Sequence, residues 1–233
     1  AGPLLLGLDL GWTTGPTGIA VVDDTGRLLD STRVRTDDEI ADWVAPVQDR
    51  LAVAAVDAPV VVPNEEGHRP AERLLGRAFG AFGASAHVAN RRTLGGEPRA
   101  MRLARRFGWD VDPACRAGDG RPVCIEVYPH AALVGLFRLG YRIGYKRGGA
   151  ARRRAGFGEL VHHLESVPEL ALSENERWRW LARTAADPGP GDLDRIEDEI
   201  DAVVCAHVAW LWLHRRDELQ VYGSVEDGYI VAP

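Results

Sequence analysis

Two aspartates stand where apolar runs stop. Residues 4–8 carry only leucine and glycine into Asp9, with Gly11, Thr13 and Thr14 just behind it. Residues 53–56 run into Asp57 in the same way, ahead of Ala58-Pro59. A near-continuous apolar run bounded by glycine and polar residues suits a strand buried on both faces. A lone carboxylate at the end of such a strand is costly to bury unless a cation or a donor compensates. Asp9 is therefore a ligand, or a cap for the Gly11 turn through local hydrogen bonds. Three further carboxylates raise the same question: Glu126, inside the alternating run 123–127, and Asp198 and Asp201 in the acidic half of a long C-terminal helix. Arg69 and Glu72 stand at i, i+3 and can face one another or a shared ligand. His68 and His130 lie beside these motifs and have acid–base capacity near neutral pH.

The elements that must position these groups follow from the pattern. Strands at 4–10, 19–22 and 27–35, joined by short turns, form an antiparallel meander; Asp23-Asp24-Thr25-Gly26 is a hairpin signal. A helix starts at 36 or 37, with acidic residues in its first turn, and runs to about 51. The strand at 53–56 returns after that helix, which makes it parallel to the first strand and near it. Asp9 and Asp57 then share the carboxyl edge of the sheet, where open α/β sheets gather their sites. Leu6, Leu8 and Leu10 share one face of the first strand; Leu5, Gly7 and Asp9 share the other. Helices are expected at 70–82, 99–107, 130–139, 152–166, 173–186 and 192–216, with a strand at 123–127. The last helix has no charged residue between 202 and 213, so that half is packed nearly all round, and Asp201 is the last carboxylate before it.

The 233 residues are enough for one large domain. A net charge of −6, from 28 basic and 34 acidic residues, argues against a general nucleic-acid coat protein but allows a local basic patch. Lys146 is the only lysine. Three cysteines without CxxC spacing indicate a reducing compartment and no zinc site. No run approaches the roughly 20 apolar residues of a membrane span, and no charged leader precedes the first strand, so a cytoplasmic protein without a membrane partner is expected.

The order of elements resembles the ribonuclease H-like fold, in which a mixed five-stranded sheet is flanked by helices. More narrowly, the chain resembles the domain-of-unknown-function family 429, described as predicted nucleases of that fold. The matching residues are Asp9 with Gly11, Val56-Asp57-Ala58-Pro59, Gly67-His68-Arg69 with Glu72, Arg91-Arg92, Glu126-Val127-Tyr128-Pro129, Tyr145-Lys146 and Asp198-Glu-Ile-Asp201-Ala202. The resemblance implies one α/β domain over 1–233, a helical and loop insertion at about 60–120 after the fourth strand, and extra helices at about 150–186. It implies that Asp9, Asp57 and Asp201, completed by Asp198 or Glu126, hold Mg²⁺ or Mn²⁺, since hard cations take oxygen ligands. It also implies phosphate contacts from Arg69, Arg91, Arg92 and Lys146, bidentate for arginine and a point charge for lysine.

Three functions fit. The first is a metal-dependent nuclease acting through metal-activated water on nucleic acid or a nucleotide phosphate. The second is an ATP-dependent phosphotransferase of the actin and sugar-kinase type, for which Asp9, Gly11 and Thr13 spell the first phosphate loop, although such enzymes need a second domain of similar fold. The third is a non-catalytic binding protein that keeps the fold. Gly11 and Thr13 would let a phosphate approach under either enzymatic function.

Overall fold

In a computed structural model of the chain, residues 2–117 and 120–233 are described, and a five-stranded mixed sheet forms the centre. The strands are β1 (Leu4–Leu10), β2 (Thr17–Asp23), β3 (Leu28–Val34), β4 (Leu51–Asp57) and β5 (Val123–Glu126), in the order β3-β2-β1-β4-β5. β1, β2 and β3 pair antiparallel through short turns, while β4 and β5 run parallel to β1. The parallel register sets Asp9 directly beside Asp57.

Period-2 alternation gives the sheet two cores. Leu6, Leu8, Leu10 and Ile19 face Ile40 and Val44 of α1 (Asp37–Val44), with Ala100 and Leu103 of a later helix. Leu5, Ala20 and Ala55 face Ala202, Cys205, Ala206 and Ala209 of the C-terminal helix. α1 ends at Val44 and not near 51, because Pro46 cannot continue a helix; a short 3₁₀ turn follows before β4.

Between β4 and β5 lie α2 (Pro70–Phe79), the single turn α3 (Arg91–Leu94) and α4 (Arg99–Phe107). α5 (Pro129–Phe137), α6 (Ala150–Glu165) and α7 (Glu176–Ala186) follow β5, and α8 (Asp192–His214) closes the helical layer. A C-terminal hairpin, β6 (Gln220–Ser224) and β7 (Gly228–Ala232), packs on α2 and α5 and joins the sheet edge by a Val127–Val231 bridge. The sequence pattern after the long helix did not announce this hairpin. No helix among the described residues is long and apolar enough to cross a membrane.

α8 lies against β1 and β2 at a distance only glycine permits. A Cβ added at Gly7 would fall on the Ala202 carbonyl oxygen and the Ala206 amide nitrogen; one at Gly18 would fall on the Asp198 carbonyl oxygen. These glycines sit in extended strands, so what they supply is close approach and not an unusual backbone angle. Overpacking at such a contact typically costs about 1–3 kcal/mol. Gly7→Ala is expected to lower unfolding stability by at least that much, read as a fall in the urea midpoint, while an alanine at Gly15, where added carbon meets nothing within 4 Å, meets no packing clash of this kind.

Candidate metal centre

Asp9, Asp57 and Asp201 each place one carboxylate oxygen within 4.8 Å of the other two. β1 and β4 supply the first two through their parallel register, and α8 supplies the third where it crosses the carboxyl edge of the sheet. Asp9 and Asp57 are half-buried and Asp201 is fully buried. Among the described residues no turn amide bonds the Asp9 carboxylate. The Gly11 turn is held instead by the buried Arg99, whose guanidinium donates to the Gly11 carbonyl at 3.0 Å and to Asp37 at 2.7 Å. The cap role expected for Asp9 is therefore not seen in this turn.

The segment after α5 compensates Asp201. Tyr145 Oη donates to Asp201 Oδ1 at 2.8 Å, and Lys146 Nζ stands 2.5 Å from Oδ2. Oδ2 is buried, with that ammonium as its charged neighbour and no hydrogen bond. One ammonium faces three carboxyl groups. Burial raises the Asp9 carboxyl well above its ordinary range, and the charges of Asp57 and Asp201 add to the rise. Burial likewise lifts Asp57 to about 7; Lys146 pulls it down while Asp201 and Glu126 push it up. Burial opposes the Lys146 charge most strongly of any one cause, but Asp201, Tyr145, Asp9 and Asp57 together outweigh it and hold the ammonium protonated. The oxygen-only donor set and the surplus of negative charge suit a hard divalent cation, which would relieve the repulsion that adds to these pKa values.

Glu126 does not join the three. It pairs with Val56 and so shares Val56's face, opposite to that of Asp57. Its carboxylate accepts a bidentate pair from Arg69, at 2.8 and 2.6 Å, and the Val60 amide at 2.9 Å. Arg69 is itself 1 % exposed and gives its remaining bonds to Glu72 at 2.6 Å and the Val61 carbonyl at 2.9 Å. With four of its five N–H groups committed, Arg69 is a strut beneath the site and not a ready phosphate contact. Glu72 completes it by reaching back to the Arg69 amide, the reciprocal half of a capping box.

Other expected residues lie elsewhere. Arg91 is exposed near Glu65, bonding the Val62 carbonyl, and Arg92 is exposed and paired with Glu66. Thr13 and His68 are also exposed, and none of these four lines the cleft above the carboxylates. Asp198 does line it but is held by Arg33 at 2.6 Å and stands outside the group of three. His130 is buried at the cleft with Nδ1 unpartnered; burial first, then Lys146 and Arg142, lower its pKa to about 3, so the ring is neutral.

The cleft has a volume of about 850 Å³. Asp9 and Asp57 line it, and the buried Asp201 lies within reach of both. Lys146, Arg142, Arg147 and Arg152 line one wall, and Trp12 and Tyr128 also face in. Sequence reasoning missed Arg142 and Arg152. The Gly-Tyr-Lys-Arg-Gly run around Lys146 was the available signal, because a glycine-rich basic connection can follow a cleft, but nothing in one sequence says which cleft.

A family model described as "Protein of unknown function (DUF429)" matches residues 7–227. Among curated proteins nothing matches. Among solved structures the chain is similar to a ROK family glucokinase from Streptomyces griseus in complex with glucose and AMPPNP, at 14 % identity and a TM-score of 0.33, over 84 % of this chain and 75 % of that one. It is also similar to a ROK family protein from Streptococcus pneumoniae in complex with sucrose, at 12 % identity and 0.32, over 91 % and 99 %. A putative N-acetylmannosamine kinase from Listeria monocytogenes matches at 14 % and 0.30, over 90 % and 79 %. At these values the likenesses bear on neither substrate nor mechanism.

Two outcomes follow from the geometry. Arg69→Met strands the buried Glu72 and Glu126 carboxylates and should cost about 3–5 kcal/mol of unfolding free energy, whereas Arg92→Ala should leave the urea midpoint unchanged. In metal-free protein, Asp57 titrates near 7 when folded against an ordinary 3.8. Between those values this carboxyl binds more protons in the folded state than in the unfolded chain, so its contribution to stability is full below about 4 and is lost as pH rises through 7. Melting temperature against pH in EDTA should show that slope, and Asp57→Asn should flatten it. Stabilisation by Mn²⁺ should grow over the same window, because the ion needs ionised ligands.

Proposed function

The chain belongs to the DUF429 family, and we propose that it is a divalent-metal-dependent phosphodiester hydrolase, a nuclease of ribonuclease H-like fold. The observation that carries this reading is the convergence of Asp9, Asp57 and Asp201, the first two of which line a cleft with Lys146, Arg142, Arg147 and Arg152. The strand order, with three antiparallel strands and two parallel ones, supports the fold assignment. The carboxylates would hold Mg²⁺ or Mn²⁺. When bound, such an ion lowers the pKa of a water ligand and offsets charge on a phosphoryl oxygen.

The residues of the chain do the rest. Tyr145 and Lys146 hold the Asp201 carboxylate from its two oxygens and so fix its rotamer beside the other two carboxylates. Arg69 holds Glu126 in place behind Asp57 without entering the cleft chemistry. The basic wall supplies the charge that a phosphodiester needs to approach an acidic floor. Thr13 is exposed and outside the cleft, while Gly11 lines it beside Asp9, so only part of the Asp-x-Gly-x-Thr turn reaches the cleft.

The test is cleavage of labelled DNA and RNA oligonucleotides with Mg²⁺, with Mn²⁺ and in EDTA, beside thermal shift with each metal and with ATP. Metal-dependent cleavage is expected, with melting raised by metal alone. Asp9→Asn and Asp57→Asn should each lower Mn²⁺ affinity and cleavage more than the roughly 10–100-fold typical of an outer-shell change, with circular dichroism unchanged. Cleavage that survives EDTA, or variants that bind Mn²⁺ as the parent does, would sink the assignment. A shift that needs ATP would favour phosphotransfer, and no shift with any of them a binding protein.

A further inference from the structure

The cleft wall says more about the substrate than its floor does. Arg142, Arg147 and Arg152 line it, and none makes a side-chain bond or ion pair among the described residues. Elsewhere Arg27, Arg92, Arg105 and Arg106 are each paired with a carboxylate on the surface. On a chain of net charge −6, three arginines without a carboxylate partner among the described residues thus line one cleft. The connection carrying it is anchored and not loose. Arg142 donates its amide to the Phe82 carbonyl at 2.8 Å, the Tyr141 ring fills the space a side chain at Gly83 would need, and Gly156 admits the backbone of Gly144 and Tyr145.

Aromatic rings flank the acidic floor. Trp12 follows Asp9 by three residues and meets His87 edge-on at 6.5 Å between ring centroids. Tyr128 stands near enough to Asp57 to feel its charge. The cleft volume of about 850 Å³ lies in the range of sites that enclose a small ligand, whereas duplex recognition spreads over a broad basic surface of roughly 1,000–2,500 Å².

Resting on the metal-dependent reading above, we infer that the substrate is an unstacked nucleotide: its base packs on Trp12 and Tyr128 while Arg142 and Arg147 hold its phosphates. Base-on-aromatic stacking tolerates any base, and guanidinium groups bind phosphate in bidentate fashion. The end of a single strand and a free dinucleotide both present that chemistry; a paired duplex does not.

The experiment uses the full chain and four probes of matched sequence: a linear single strand, its blunt duplex, a closed single-stranded circle and a dinucleotide. Binding is read by fluorescence anisotropy in EDTA for the labelled strands, and cleavage in Mn²⁺ for all four. The linear strand should bind at least tenfold more tightly than the duplex and be shortened from an end, with the circle spared. Cutting of the dinucleotide alone would place the source as a free dinucleotide. Arg142→Ala/Arg147→Ala should weaken strand binding by roughly tenfold or more while leaving the Mn²⁺ thermal shift intact, and Trp12→Ala should weaken it independently of salt. Equal binding and cutting of duplex and single strand, unaltered by these variants but with the Mn²⁺ shift present, overturns this inference alone. Loss of any Mn²⁺ shift in the parent overturns the metal-dependent reading and this one with it.

Discussion

Everything at the carboxyl edge of the sheet depends on how closely α8 approaches β1 and β2. Gly7 and Gly18 remove the two side chains that would hold the helix off, and Ala202, Ala206 and Ala209 keep the helix face shallow. That contact carries Asp201 into a fully buried position beside two aspartates already adjacent by strand register. Three carboxyl groups are thereby brought together in surroundings where each charge is hard to keep. The fold meets part of this cost with one ammonium and one phenol, Lys146 and Tyr145, both from a single glycine-rich connection. The remainder is borne by raised pKa values or by a cation. A site assembled this way is poised for a metal by the same packing that makes it uncomfortable without one.

The edge on which the carboxylates sit must itself be rigid, and a second buried network provides that. Arg69 joins the start of α2 to Glu126 at the end of β5, and through the Val61 carbonyl to the segment leaving β4. β7 closes over it: a Cβ at Gly228 would strike the Val61 carbonyl oxygen and Arg69 Cδ, and the Tyr229 hydroxyl donates to the Cys124 carbonyl at 3.0 Å. Chain segments more than a hundred residues apart thus converge on one guanidinium. A buried ion network of this kind adds little net stability relative to apolar packing, but it commits the strands to one arrangement, because any slip leaves a charge unpaired.

The sequence was most legible where a short-range period carries the information. Alternation in β1 separated Leu6, Leu8 and Leu10 from Leu5, Gly7 and Asp9, and the two cores are divided in that way. The strand–helix–strand return put Asp9 and Asp57 at one edge, and the switch from an acidic to an uncharged half marked Asp201. Legibility failed where direction is set by partners far along the chain. Arg69, Arg91 and Arg92 are alike as residues, yet Arg69 is turned inward by two buried glutamates while the other two lie on the surface beside Glu65 and Glu66. Glu126 followed the same rule of alternation that had worked for β1, but its face depends on its register with Val56, which no local pattern reveals. The hairpin after α8 is short and half-exposed in its first strand, so its apolar signal is weak.

The floor and wall of the cleft carry opposite charge without cancelling, and that separation is the last structural requirement of the proposed chemistry. Lys146 is the one basic side chain of the connection that reaches the acidic group; Arg142, Arg147 and Arg152 stand along the same wall with no carboxylate partner among the described residues. Were the connection flexible, long arginine side chains would fold onto the nearest carboxylates, and a phosphate would find neither a metal site nor free cations. The backbone contacts of the connection with Phe82 and with Gly156 oppose that collapse. Acid and base can then address different parts of one substrate: oxygen ligands for a metal below, and guanidinium groups for phosphate above.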